Sequence, residues 1–106
     1  MSATERVVSF ICDTDGDAIP AEAREYGRRA LLDTVGVTLA GVEEPSATLS
    51  RRLVESEGGD GQATVLGSAR RAPLAGAALA NGTAGHALGY DDVTASMTGH
   101  PSIPLA

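Results

Sequence analysis

Large side chains are scarce in this sequence, and that scarcity constrains the possible folds more than any other feature. Of its 106 residues 18 are alanine and 13 glycine, and Phe10, Tyr26 and Tyr90 are the only aromatics. A chain of this length buries roughly two-thirds of the surface its unfolded form exposes. Each buried Leu or Phe contributes roughly 1.5–3 kcal/mol and an alanine far less, so an independent core built from this chain is weak. Alanine and glycine do let helix backbones approach closely. The composition therefore points to helices packed inside a larger helical body, and to residues 1–106 as one domain at most or a part of one.

Charge narrows the function classes. Eight basic residues stand against 14 acidic ones for a net charge of −6, and all eight are arginines. Without lysine the chain cannot form a Schiff base or use a lysine general base of its own. An acidic surface also argues against nucleic acid, which needs a basic patch. Cys12 is the single cysteine, so no disulfide framework exists; a reducing, cytoplasmic setting is expected, with Cys12 as a small core residue. The N-terminus lacks a basic leader, and Ser9–Cys12 is too short for a signal core. No run approaches the roughly 20 apolar residues of a membrane span; the best candidate, 72–90, is interrupted by Asn81, Thr83 and His86.

The pattern reads as helices. Residues 3–12 form a short one, with Ser2 or Thr4 as the cap and Val7, Val8, Phe10 and Ile11 as its apolar residues. Asp13 to Asp17 begins like a calcium loop but lacks the glycine and distal glutamate in register, which leaves turn chemistry. Pro20 opens a long helix ending near Ala40, with Gly41 beyond it. Its second half, 31–42, is apolar on nearly every side and is expected to be buried all round. Asp33 would then need a backbone or arginine partner. After the Glu43-Glu44-Pro45 turn, Ser46–Glu57 reads as a helix with Leu49, Leu53 and Val54 inward, closed by the Gly58–Gly61 cluster. No Lys-Ser/Thr follows these glycines, so they are not a phosphate loop. Residues 63–67 are a short extended piece and 68–72 a polar connector. A last helix spans 73–88. Gly76, Gly82 and Gly85 would each weaken it by roughly 1 kcal/mol in isolation, which implies close contact with another helix or a ligand.

Polar residues with chemical potential crowd into the last quarter: Asn81, His86, Asp91, Asp92, Thr94, Thr98, His100 and Ser102. Three readings follow from spacing alone. His86, Asp91, Asp92 and His100 are suitable ligands for a divalent metal, although they match no metal signature. A carboxylate pair beside histidines can also do general acid/base work. In the third reading the acids cap a turn and the histidines are ordinary core or surface residues. Pro101 would sit at the first position of a further helix, whose free N–H groups would suit a carboxylate.

The run Asp33-Thr34-Val35-Gly36, Leu39-Ala40-Gly41, Asn81 to Leu88, Tyr90-Asp91-Asp92 and His100-Pro101-Ser102 resembles, in order and approximate spacing, the N-terminal part of the MmgE/PrpD family. That family includes 2-methylcitrate dehydratase and cis-aconitate decarboxylase. The resemblance implies an all-α fold with at most a short extended segment near 63–67, as the incomplete N-terminal portion of a helical domain. It implies a lyase working on small di- or tricarboxylates without metal or organic cofactor, usually as a homodimer, with no membrane or nucleic-acid partner. By resemblance His100 and Asp91 are catalytic, while Asp92, His86, Asn81 and Ser102 bind substrate. The chain departs from the common Asp-aromatic-Asp-Asp-Thr pattern at Gly89 and Val93, where two polar pocket positions are lost. The family's pocket lysine, a further histidine and the lid lie downstream of the matched region. The chain is therefore expected to be inactive alone. A non-catalytic helical module docking on a full-length paralogue is the alternative, and a metal-dependent hydrolase a third.

Overall fold

Ser2 starts the first helix with a reciprocal cap. Its Oγ accepts the Glu5 N–H at 3.2 Å, and Glu5 Oε2 accepts the Ser2 N–H at 2.6 Å. In the computed structural model, which describes residues 1–106, this helix, α1, spans Ala3–Asp13. None of its residues is buried, so Val7, Val8, Phe10 and Ile11 all face out. Cys12 is exposed as well; it is not the core residue expected. A single 3₁₀ turn, Gly16–Ala18, follows, and Asp15 Oδ1 accepts the Asp17 N–H at 3.1 Å.

Pro20 then opens α2, Ala21–Gly41, the longest element. Its buried residues are Thr34, Thr38 and Gly41, spaced four and three apart and hence on one face. The expectation of burial all round is wrong: Leu31, Leu32 and Leu39 are exposed. The smallest face is the one that packs, because only there can a second backbone come close. Burying the two threonines costs little, since each hydroxyl donates back along the helix: Thr34 to the Ala30 carbonyl at 2.8 Å, Thr38 to that of Thr34 at 2.7 Å. Asp33 is exposed and solvated, and needs neither partner foreseen for it.

A tight turn leads to α3, Pro45–Glu57, with proline in its first turn. Arg51 pins this corner: its guanidinium donates to the Val42 carbonyl at 3.0 Å and lies 3.8 Å from the Glu43 carboxylate. Ala47 and Val54 are the buried residues of α3. Leu49 and Leu53, expected to point inward, are exposed; here too the contact runs along smaller side chains. Gly58, at φ +67°, ends the helix.

Strands β1, Ala63–Thr64, and β2, Arg71–Ala72, pair antiparallel with Ala63 opposite Ala72 and Thr64 opposite Arg71. The stretch 68–72 is thus only partly a connector, because its last two residues complete a hairpin. Gly67, at φ +73°, lies where a Cβ would come within 2.7 Å of Val42, so the hairpin tip rests on the α2–α3 turn. The last helix, α4, spans Leu74–His86, two residues shorter at its end than the sequence suggests. It packs on α2 and α3 through Ala77, Ala80, Ala84 and Gly85. A Cβ on Gly76 would come within 2.9 Å of Val54, and one on Gly85 within 2.9 Å of Thr38 Oγ1. Two of the three helix glycines are therefore close-contact positions.

The fold is mostly helical with one minimal hairpin. Its core is Val54, Val65, Ala72, Ala77 and Ala80, flanked by Ala63. Beyond α4 the chain turns through 94–99, where Thr94 and Gly99 form a lone bridge and Thr98 takes φ +52°. The helix expected from Pro101 is only a turn at 102–106, with Leu105 and Ala106 both donating to the Ser102 carbonyl. No helix is long and apolar enough to cross a membrane.

Candidate functional site

The last turn of α4 delivers His86 to the edge of the bundle, and Gly89, at φ +65°, reverses the chain behind it. The reversal sends Asp91 back under the helix end. Its side chain is 1% exposed, in a protein where only 12 residues are buried at all. A buried carboxylate is costly unless paired, and the partners here are the two histidines. His86 Nδ1 lies 3.0 Å from Asp91 Oδ1 and 3.1 Å from Oδ2. His100, brought in by the loop after Asp92, places its Nδ1 3.0 Å from Oδ2. This second contact is close but out of line for a good hydrogen bond, and the buried Nδ1 has no other partner. The rings meet edge to face, with centroids 4.5 Å apart and planes at 68°. Both histidines of the chain thus converge on one acid.

Asp92 faces the other way. Its Oδ1 accepts the Ser102 N–H at 3.1 Å and its Oδ2 the Ser102 hydroxyl at 2.6 Å. The N–H foreseen as a carboxylate-binding group is thus taken by the chain's own Asp92. The pair, ten residues apart in sequence, clamps the segment that carries His100. Asn81 lies elsewhere again: its Oδ1 accepts the Leu66 N–H at 2.9 Å and its Nδ2 donates to the Thr64 carbonyl at 3.0 Å. Its carboxamide holds the hairpin on α4 and does not reach the histidines. Thr94 Oγ1 pairs with Ser96 Oγ at 2.9 Å.

Of the four residues weighed as metal ligands, His86, Asp91 and His100 bring their donor atoms within 4.8 Å of one another; Asp92 is not among them. His86 Nδ1 is in direct hydrogen-bond contact with the Asp91 carboxylate, and His100 Nδ1 approaches the same carboxylate at 3.0 Å. An open groove runs beside His86, lined by Leu79, Gly82, Thr83, Gly89 and, from the start of α3, Ser46. Ser46 has no chemical signature in the sequence; its only cue is the helix start at Pro45. Tyr90 and Val93 are exposed, and Gly89 contributes no side chain to the groove.

A model of the MmgE/PrpD N-terminal domain matches residues 5–106. The chain belongs to the MmgE/PrpD family. No curated protein and no solved structure is matched. The family match spans all four helices apart from the first two residues of α1. In this member of the family, the paired-histidine cluster sits at the C-terminal end of the most alanine-rich helix. The small-residue stripe of α4 and the reversal at Gly89 are what bring the cluster together.

Proposed function

We propose that this MmgE/PrpD chain supplies the N-terminal part of a cofactor-independent lyase site for small di- or tricarboxylates, of the 2-methylcitrate dehydratase kind, and that it is inactive alone. The observation that carries the reading is the convergence of His86 and His100 on buried Asp91 in a chain of this family. Eliminating water next to a carboxylate needs a base for the α-proton and an acid for the departing hydroxyl, and a positioned imidazole can serve as either. His100 is the proton-transfer group. His86 and Asp91 stand directly behind it, and the Asp92–Ser102 clamp fixes the loop that carries it.

Inactivity follows from how open the site is. The His86 side chain is 58% exposed, its groove is a shallow surface, and no arginine pairs with any member of the cluster. Nothing in this arrangement excludes water or holds a second substrate carboxylate, and both are needed for the electrostatics of such a reaction. Further protein, from a homo-oligomer or a paralogue in a reducing cytoplasm, would enclose it.

Complementation tests this. The chain alone should not turn over 2-methylcitrate or cis-aconitate. Added to an MmgE/PrpD paralogue whose own N-terminal domain has been deleted, it should restore activity, and His100→Ala should lower that activity at least ~100-fold. Turnover by the chain alone, or restoration indifferent to His100, would remove the proposal. The exposed Leu31, Leu32 and Leu39 favour one second reading, a non-catalytic module that docks on such a paralogue. Under that reading the chain binds the paralogue but His100→Ala changes nothing.

A further inference from the structure

We propose that Asp91 is a shared positioning residue: its single carboxylate fixes the ring tautomer of both His86 and His100, leaving Nε2 of each as the free basic nitrogen. The assignment of His100 to proton transfer rests on the lyase reading, but the tautomers themselves do not.

The argument starts from what a buried carboxylate can do. Ionised, it only accepts hydrogen bonds, with about four lone-pair directions on two oxygens. His86 Nδ1 sits within 3.1 Å of both oxygens, so the hydrogen must be on that nitrogen. At 3.0 Å from Oδ2, an unprotonated His100 Nδ1 would set its lone pair against a carboxylate oxygen. Protonated, it meets an acceptor, even though the alignment is imperfect. Two rings on one acid therefore share one tautomer, with Nδ1 carrying the proton. Asp91 is too deeply buried, with 1% of its side chain exposed, to touch a substrate in the groove. It therefore acts through the imidazoles, holding their orientation and compensating the charge that forms when an Nε2 takes a proton. This reassigns Asp91 from reacting group to positioning residue, and it gives His86 a defined state beside His100. Only the side chain at 91 reaches both rings; Asp92 is engaged by Ser102.

Long-range proton–nitrogen spectra of the full chain labelled in its two histidines test this directly, at about pH 8 where an ordinary imidazole is neutral. Both rings should show a protonated Nδ1 and a bare Nε2. In Asp91→Asn at least one ring should switch its proton to Nε2, since a carboxamide cannot accept from both nitrogens on equal terms. His86→Phe should leave His100 protonated on Nδ1. If either wild-type ring carries its proton on Nε2, the proposal is overturned, and this spectrum decides even if the Asn variant fails to fold. It is equally overturned if Asp91→Asn leaves both tautomers unchanged, or if one equivalent of Zn²⁺ added to the wild-type chain is retained through dialysis with both Nδ1 signals shifted. In that last case the trio is a metal site. In the complementation assay, Asp91→Asn should lower kcat ~10²–10⁴-fold with little change in KM. Nδ1-protonated rings in a chain that restores no activity would uphold the positioning role and remove the lyase reading.

Discussion

Asn81 satisfies two backbone groups of the hairpin, one at the end of β1 and one in the loop beyond it. It accepts from Leu66 and donates to Thr64, a polar tie added to the packing of Val65 and Ala72 against Ala77 and Ala80 of α4. Asn81→Ala should cost about 1–2 kcal/mol in urea unfolding, because two backbone groups lose a bond and that of Leu66 is half-buried. The specific readout is the Leu66 amide: its hydrogen exchange should quicken in the variant. Unchanged exchange would mean that the hairpin is held by something other than this contact. The sequence marks Asn81 only as a polar residue inside an apolar helix, a signal that fits a pocket residue as well as a structural one. Side-chain chemistry cannot separate the two, because the deciding partner is backbone 15–17 residues away. His86, Asp91 and His100 were legible for a different reason. Histidine is so rare in this chain that two of them flanking an Asp-Asp pair stand out whatever they do.

Element boundaries follow closely from local chemistry. Ser2 with Glu5, Pro20, Pro45 and Gly58 each act on the backbone at their own position, and α1, α2 and α3 begin and end within a residue or so of the expected bounds; Gly41, expected just beyond α2, is instead its last residue and packs against α4. Which face of each helix packs does not follow. Apolar spacing selects Leu49, Leu53 and Val54 on α3, of which Val54 alone is buried, beside Ala47; the second half of α2 reads as apolar all round, whereas its contacts run through Thr34, Thr38 and Gly41. In a chain with few large residues, close approach along small ones competes with burial of large ones, and in this structure it prevails. The glycines of α2 test that statement. A Cβ at Gly36 meets nothing within 4 Å, whereas one at Gly41 would run into the Ala84 carbonyl. Gly36→Ala should therefore stabilise the protein by about 0.5–1 kcal/mol through helix propensity alone. Gly41→Ala should destabilise it by about 1–3 kcal/mol, because α4 must move away. Thermal melts of the two variants check the signs; a reversed order would mean that α2 does not present its small face to α4.

At the scale of the whole molecule the same preference leaves the large side chains outside. A typical 106-residue domain has a radius of gyration of about 13 Å, and this one has 15.8 Å with extents of 42 × 29 × 25 Å. No large side chain is fully buried, while Phe10, Leu31, Leu32, Leu49 and Leu53 are at least half exposed. Exposed large apolar side chains in such number are available for contact with other protein, or are a liability to aggregate. Because Leu32 and Leu39 lie on the side of α2 opposite Thr34, Thr38 and Gly41, replacing both should act on association and not on folding. Leu32→Ser with Leu39→Ser is expected to reduce binding of an apolar dye and to shift the chain towards monomer in light scattering. Helicity by circular dichroism should fall only slightly, by the small loss in propensity from leucine to serine. A large drop in helicity would place these leucines in the core and reverse the account of α2. Loss of self-association with helicity kept would identify the leucine face of α2 as an interaction surface. That face is separate from the Thr34, Thr38 and Gly41 face, which seats α4 and, through α4, places His86 beside Asp91.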